Sequence, residues 1–246
     1  MGDEFVVFAA IGFCAQMIDG ALGMAFGVIA STSLIAFGTP PAFASAAVHA
    51  AEVVTTGISG TSHILHRNVD WSLFRRLAVP GVIGGCLGAY VLTGLPEEVV
   101  KPLVTVYLAL MALLIFLRVA SRLRSSWNFP AAAVGGGGGF LDAIGGGGWG
   151  PIVASTLLAK GDAPRSTIGS VNTTEFVVTT AISITFFTQL DLSSYGNAVL
   201  GLVIGGALAA PVAGYLVKIM PTRLALVLVG TVSVGLTAVN FMDLVG

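Results

Sequence analysis

The sequence predicts an all-α polytopic membrane protein made of two inverted internal repeats, each a broken glycine-rich hairpin followed by three transmembrane helices. Three observations lead to this fold class. Hydrophobic residues make up 55% of the 246-residue chain, charged residues only 9%, and the mean hydropathy is +0.94. The sequence matches itself at a shift of 123 residues. A glycine-rich interruption falls in the same segment of both copies.

The composition excludes an ordinary soluble domain. Soluble domains carry about a quarter charged residues, whereas a bilayer crossing needs about 20 mostly apolar residues. Residues 99–117 contain a single charge, Lys101, and residues 196–217 contain none. The net charge of −1 and the scattered basic residues do not favour a nucleic-acid partner. The lipid bilayer is therefore the expected surrounding of the helices.

The internal repeat places acidic residues at equivalent positions of the two copies. Asp19 aligns with Asp142 and Glu52 aligns with Glu175, all within apolar stretches. Between 19–57 and 142–180 there are 12 identities in 39 positions without a gap. They include Gly23 with Gly146, Gly27 with Gly150, Pro41 with Pro164 and Thr56 with Thr179. Duplicated membrane segments with matching intramembrane acids are typical of transporters, whose site lies between the repeats.

Each half divides into four apolar segments. In the first half these are 5–37, 41–62, 73–94 and 99–117, and in the second they are 130–159, 164–187, 196–217 and 222–242. The first transmembrane repeat is therefore assigned to residues 1–117 and the second to residues 130–246. A basic linker, RVASRLRSSWNF at 118–129, joins them.

The first segment of each half is predicted to be a re-entrant hairpin. Residues 5–37 and 130–159 are too long for one simple crossing at 1.5 Å per residue. Their middles read DGALGMAFG from Asp19 and DAIGGGGWG from Asp142, and each glycine costs a helix about 1 kcal/mol relative to alanine. Non-helical backbone at membrane depth is tolerated only inside protein or beside a water-filled cavity.

The basic residues favour this arrangement over eight full crossings. With eight crossings, the 11 Lys and Arg residues divide six to five between the two sides. With re-entrant hairpins, six helices cross, the halves become inverted and only Lys101 falls opposite the other ten. Cytoplasmic loops carry an excess of Lys and Arg. We therefore expect the linker in the cytoplasm and both termini outside it.

The aspartates at the two breaks have two interpretations. Each could cap the second half-helix by accepting backbone N–H bonds. The break could also expose N–H groups and a positive helix end that attract an anion, with glycines that let it approach the backbone. The candidate binding residues of this kind are Asp19, Gly20, Gly23, Asp142, Gly146, Gly147, Gly148 and Trp149. For Trp149, packing and recognition both stay open.

Two glutamates lie deep within apolar helices. A buried carboxylate faces the bundle interior and either pairs or takes a proton, so Glu52 and Glu175 are structural hydrogen-bonding acids or coupling groups. His49 precedes Glu52 by three residues on the same helical face, which suggests a proton relay. Asn172, followed by Thr173, stands in its place in the second copy. One histidine and one glutamate are too few ligands for a metal ion, so no metal is predicted.

Motifs of enzymes are absent from the sequence. The run from Gly135 to Gly139 lacks the Gly-Lys-Ser/Thr that completes a phosphate-binding loop. We also find no nucleophile elbow, no kinase signature and no Cys–His metal spacing. The sequence therefore predicts neither an enzyme nor a cofactor.

Four motifs together resemble the TauE/SafE family. They are D-G-x-x-G-x-x-x-G from Asp19, E-x-x-T-T from Glu52, D-x-x-G-G-G-x-x-G from Asp142 and N-T-T-E from Asn172. The resemblance covers essentially the whole chain. It implies a multi-pass protein of the bacterial cytoplasmic membrane that moves sulfite or organosulfur anions such as sulfoacetate, usually outward.

The expected function is secondary transport of a small anion, with protons as the coupling ion. The rival hypothesis is a passive anion channel built on facing hairpins, and a third is a membrane component with no transport of its own. No ATP-binding motif is present, so active transport would draw on an ion gradient or on another subunit. The sequence leaves homo-oligomerisation open.

Overall fold

A computed structural model describes residues 2–22, 24–120, 129–160, 163–191, 195–219 and 222–245, and the regular structure within them is helical throughout. This confirms the predicted all-α class. The helices are α1 (Gly2–Leu22), α2 (Phe26–Ala36), α3 (Pro41–Leu65), α4 (Trp71–Gly94), α5 (Glu97–Ala120), α6 (Ala131–Gly145), α7 (Ser155–Lys160), α8 (Pro164–Gln189), α9 (Gly196–Ile219) and α10 (Thr222–Val245). A π-helical turn at Gly150–Ala154 leads into α7.

Both long first segments are interrupted where the glycines predict it. The first breaks between α1 and α2, and the second breaks after Gly145. Gly146 and Gly147 have φ angles of 65° and 149°, in the region that side chains rarely adopt. We call residues 24–28 the first tip and residues 146–150 the second tip.

The first apolar segment of each half packs against the third apolar segment of the other half, so that α6 lies against α4 and α1 lies against α9. If Gly84 of α4 carried a Cβ atom, that atom would overlap the carbonyl oxygen of Gly136 of α6. A Cβ atom on Gly139 of α6 would in the same way overlap the carbonyl oxygen of Gly81 of α4. Helices α1 and α9 approach as closely, because a Cβ atom on Gly205 would meet the carbonyl oxygen of Ala9. Such contacts between small residues are typical of helix pairs in membranes.

We expect Gly139→Ala to destabilise the protein and Gly137→Ala to leave it unchanged or slightly stabilised. A methyl group at 139 would overlap the Gly81 backbone, which cannot move aside as a side chain would, whereas position 137 has open space around it. Overpacking of this kind costs about 1–3 kcal/mol. Thermal unfolding in detergent measures the difference, and equal melting temperatures for the two variants would contradict the close α4–α6 contact.

The segment from α6 to α7 begins and ends near the same end of α4. Asp70, which caps α4, lines one cavity of about 570 Å³ together with Pro130 before α6 and Lys160 at the end of α7. The other end of α6 lies farther along α4, because a Cβ atom on Gly88 would meet the carbonyl oxygen of Phe140. The start of α6 and the end of α7 therefore lie near one end of α4, and the second tip lies between them in the sequence.

Helices α3 and α8 cross the centre of the molecule side by side in opposite directions. Gly57 lies against Phe176, and Gly60 lies against Thr173. At their shared end, Arg165 donates to the Asn68 side chain at 2.5 Å. The two helices carry the equivalent glutamates, Glu52 and Glu175, so this packing brings both halves to one site.

The outer surface is apolar. Helix α4 exposes Val79, Ile83 and Leu87, and α5 exposes Leu103 and Leu110, at helical spacing. Two helical stretches in the described part of the chain, Trp71–Gly94 and Glu97–Ile115, are long and apolar enough to cross a bilayer by length and composition. Shorter apolar helices lie at Phe26–Ala36, Gly196–Ala210 and Gly230–Met242.

Candidate substrate cavity

A cavity of about 300 Å³ lies between the first tip and helices α3 and α8. Three acids from three different helices line it, namely Asp19, Glu52 and Glu175. Its other lining residues are Gln16, Met24, Ala25, Phe26, Gly27, Val28, Thr55, Thr56, Ser59, His63, Gly148, Gly150, Pro151, Ile168 and Asn172. No lysine or arginine lines it among the residues the structure describes, so its fixed charges are acidic.

Asp19 holds the first tip in shape. Its Oδ1 atom accepts hydrogen bonds from the backbone N–H groups of Ala25, at 2.6 Å, and Phe26, at 3.1 Å. Asp142 does the same at the second tip, where Oδ1 accepts from the N–H of Trp149 at 3.0 Å. Phe26 and Trp149 are equivalent in the 123-residue frame. Both aspartates therefore satisfy backbone donors where a helix restarts.

The start of α2 presents backbone donors to the cavity. The N–H of Ile29 is bonded to the Ala25 carbonyl at 3.1 Å. Gly27 and Val28 stand in the first turn of α2, whose N–H groups have no acceptor within the helix itself, and both residues line the cavity. The N–H groups of a first helical turn and the positive end of a helix dipole favour an anion at this place.

Two buried side chains in the cavity wall have unpaired oxygen atoms. Glu52 is 5% exposed and Gln16 is 7% exposed. Glu52 Oε2 and Gln16 Oε1 have no hydrogen-bond partner in the described part of the molecule. Buried polar atoms normally have a partner, so these two are candidates to hold a proton or a ligand. Gln16 was missed by the sequence reasoning, although it lies one helical turn before Asp19.

His49 contacts Asp142 across the two halves rather than the nearby Glu52. Its Nδ1 atom lies 2.8 Å from the Ser45 carbonyl, which can only accept, so Nδ1 carries a hydrogen. Its Nε2 atom lies 3.4 Å from Asp142 Oδ2. Both side chains are buried and lie outside the cavity lining.

Side chains from the first half hold the second tip and the last turn of α6 that precedes it. Ser45 Oγ donates to the Ala143 carbonyl at 2.6 Å, Ser31 Oγ donates to the Gly146 carbonyl, and the Tyr107 hydroxyl donates to the Gly147 carbonyl at 3.2 Å. These bonds join residues 40 to 115 positions apart, so no local sequence pattern could reveal them. They satisfy carbonyl groups that the broken helix leaves free.

The predicted site residues fall into two groups. Those that line the cavity are Asp19, Glu52, Gly148, Asn172 and Glu175, and those packed behind it are His49, Asp142, Gly146, Gly147, Trp149 and Thr173. Gly20 lies in the last turn of α1, and Gly23 lies outside the described residues. Trp149 is fully buried and donates its indole N–H to the Val171 carbonyl at 3.2 Å, which is a packing role.

The described side chains offer no group of three or more His, Cys, Asp or Glu residues arranged to hold a metal ion.

Comparison with known families decides the assignment. The family model described as "Sulfite exporter TauE/SafE" matches residues 8–240. The chain belongs to the TauE/SafE family. It is accordingly an integral membrane protein of a transporter family. The four motifs that resemble this family surround the cavity and the two tips, because they contain Asp19, Glu52, Asp142 and Asn172.

A curated relative of this TauE/SafE protein is named as a probable membrane transporter. The chain is 41% identical over 240 residues to the probable membrane transporter protein YtnM of Bacillus subtilis (strain 168). The aligned region covers 92% of this chain and 79% of that protein. No solved structure matches the chain.

The cavity lining also contains a polar pair of side chains besides the acids. At the tip end lie the acids, and at the other end Asn172 Nδ2 lies 3.3 Å from His63 Nε2. His63 stands near the end of α3, where Arg165 and Asn68 join α8 to the α3–α4 loop.

Proposed function

We propose that this TauE/SafE protein is a secondary transporter that exports a small anion such as sulfite or an organosulfonate, with protons as the coupling ion. The observation that carries the anion is the start of α2, where the first-turn residues Gly27 and Val28 line the cavity and the N–H groups of that turn have no acceptor within the helix itself. The family supports a substrate of this class, since its model is named for sulfite export.

Proton coupling is proposed because the same cavity is lined by acids. Asp19, Glu52 and Glu175 would repel an anion if all three were ionised, and the repulsion is stronger where water is scarce. A proton on at least one glutamate removes a charge and adds a donor. Glu52 Oε2, which has no partner in the described structure, could carry that proton. Anion and proton would then move together or exchange through one site.

We further propose that the two halves, residues 1–117 and 130–246, are inverted repeats with re-entrant first segments in a bacterial cytoplasmic membrane. The exchange of partners between halves supports this, because α6 packs on α4 as α1 packs on α9. The α6–α7 segment begins and ends near the same end of α4, and this supports a re-entrant course for the segment. Six helices would then cross the bilayer.

The inverted arrangement predicts opposite locations for position 3 and Ser125. Single cysteines there, in a background lacking Cys14 and Cys86, should react with an impermeant maleimide from opposite sides of the membrane. Three crossings separate the two positions if the first segment is re-entrant, and four separate them if it crosses. Reaction of both cysteines from the same side would contradict the inverted repeats.

Flux into proteoliposomes tests the function itself. A transporter should give saturable sulfite uptake that responds to a proton gradient, because each cycle loads a limited number of sites. A passive channel, the rival hypothesis, should give flux that rises in proportion to sulfite concentration. Flux equal to that of protein-free liposomes would instead support the third hypothesis, a membrane component with no transport of its own.

A further inference from the structure

We propose that the coupling proton leaves the cavity through a buried polar passage along α8, which leads from Glu175 past Thr179 and Ser183 to the His49–Asp142 pair. Water beside the two hydroxyl groups carries the proton, and His49 receives it. This inference rests on the proposed function and specifies the route that its protons take.

Two hydroxyl groups of α8, those of Thr179 and Ser183, have no partner. The two side chains are 0% and 3% exposed, and neither oxygen atom has a hydrogen-bond partner in the described part of the molecule. Four other threonines of this helix donate to the carbonyl group four residues earlier, at 2.6 to 2.9 Å, namely Thr173, Thr174, Thr180 and Thr185. Buried polar groups without a protein partner are the usual binding positions of internal water.

The free hydroxyl groups lie on the face of α8 that connects Glu175 with His49. Glu175, Thr179 and Ser183 follow one another at intervals of four residues, and Phe186 follows three residues later. All four therefore lie on one side of the helix, along a rise of about 16 Å. The Phe186 ring packs against the His49 ring, with centroids 6.0 Å apart. The hydroxyl groups thus stand between a glutamate that lines the cavity and the buried histidine.

The second glutamate of the cavity and His49 both adjoin the second tip. A Cβ atom on Gly27 would meet Glu52 Oε1 and also the Cα atom of Gly147, so the Glu52 carboxyl group lies beside this tip. His49 contacts the residue that caps it, because Nε2 lies 3.4 Å from Asp142 Oδ2. A passage along α8 to His49 therefore starts from a cavity in which both glutamates can supply the proton.

The equivalent face of α3 has no such passage. In the 123-residue frame, Thr179 corresponds to Thr56 and Ser183 corresponds to Gly60. The Thr56 hydroxyl donates to the Glu52 carbonyl at 2.5 Å, and Gly60 packs against Thr173. The free hydroxyl groups are therefore particular to the second copy and are not imposed by the repeat.

One nitrogen of His49 is available to exchange a proton. Nδ1 lies 2.8 Å from the Ser45 carbonyl and carries a hydrogen, whereas Nε2 faces Asp142. A glutamic acid that gives up its proton becomes a carboxylate, and the ring that gains it at Nε2 becomes an imidazolium beside Asp142. Release of that proton to the next water restores the neutral ring. The other titratable groups near this passage are Asp19, Glu52, Tyr107 and Glu175.

Removing the two free hydroxyl groups should slow proton movement without weakening the fold. The double variant Thr179→Val, Ser183→Ala replaces them with apolar groups of similar size, which is neutral or stabilising where a buried hydroxyl has no protein partner. We expect its melting temperature to equal or exceed that of the wild type. Proton movement is measured with a pH-sensitive dye inside proteoliposomes given a sulfoacetate gradient, and the double variant should lose most of it.

A second variant changes the group that receives the proton. His49→Gln keeps a polar side chain but cannot titrate, and we expect it to lower proton movement about 100-fold or more. Exchange of external labelled sulfoacetate for internal unlabelled sulfoacetate at equal pH requires no net proton movement. Both the double variant and His49→Gln should therefore exchange the anion at the wild-type rate.

The matched control is Thr180→Val, at the position next to Thr179. The Thr180 hydroxyl donates to the Phe176 carbonyl at 2.6 Å, so its loss should lower the melting temperature slightly and leave proton movement unchanged.

Three outcomes would contradict these proposals. Wild-type proton movement in both the double variant and His49→Gln would overturn the passage. Loss of anion exchange together with proton movement would also overturn it, because these residues would then belong to the anion site. A wild type that moves sulfoacetate saturably without any change of internal pH would instead contradict the proposed proton coupling itself.

Discussion

Replacing Gly147 with leucine should reduce transport to background while the protein still inserts into the membrane. Gly147 has a φ angle of 149°, and a Cβ atom there would overlap the backbone of Gly27 and Val28. The side chain would therefore push apart the two tips and displace the first turn of α2, which lines the cavity. The sequence suggested that a side chain would block the substrate directly, whereas the structure assigns the close approach to Gly27.

Two companion variants separate this effect from general damage. Gly27→Ala should also abolish transport, because a Cβ atom at position 27 would overlap the Cα atom of Gly147. Gly94→Leu, at the end of α4 with open space around it, should transport normally. Size-exclusion profiles and sulfite flux are measured for all three. Wild-type flux from a well-expressed Gly147→Leu protein would rule out a tight contact between the tips.

Replacing Glu52 with glutamine should lower proton-coupled flux about 100-fold or more, the usual contribution of a positioned proton-transfer group. Glutamine keeps the size of the side chain but cannot bind or release a proton. Glu52 is buried in the cavity wall with one oxygen unpaired in the described structure. Glu175 lines the same cavity from α8, so Glu175→Gln should also flatten the pH profile of flux.

The matched control is Glu98→Gln, at an exposed position in the first turn of α5. Its flux and pH profile should equal those of the wild type. Flux is measured at a series of pH values for the four proteins. If Glu52→Gln and Glu175→Gln both transport at the wild-type rate with the same pH profile, the two glutamates are structural and protons are not carried by them.

Local physical chemistry explains what the sequence could predict. Glycine weakens a helix wherever it occurs, so the runs after Asp19 and Asp142 indicated the breaks before any contact was known. The spacing of the repeat placed Phe26 opposite Trp149, and each donates its N–H to the equivalent aspartate. Hydropathy located the helices because long apolar segments are needed to cross a bilayer.

Contacts between the halves could not be predicted in the same way. His49 and Glu52 are neighbours on one helical face, so a local pattern paired them, but His49 lies against Asp142, which is 93 residues away. Ser31 and Ser45 give no signal in the sequence, because small hydroxyl residues are common in membrane helices. Their role appears only when tertiary packing brings α2 and α3 to the second tip.

The most direct test of proton-coupled anion transport is the internal pH of proteoliposomes during anion movement. Vesicles containing a pH-sensitive dye are given a gradient of sulfoacetate, an anion that stays ionised and does not cross lipid unaided. The wild type should change the internal pH as the anion moves, and Glu52→Gln should not. Saturable sulfoacetate movement by the wild type with no change of internal pH would contradict the coupling, and so the central claim.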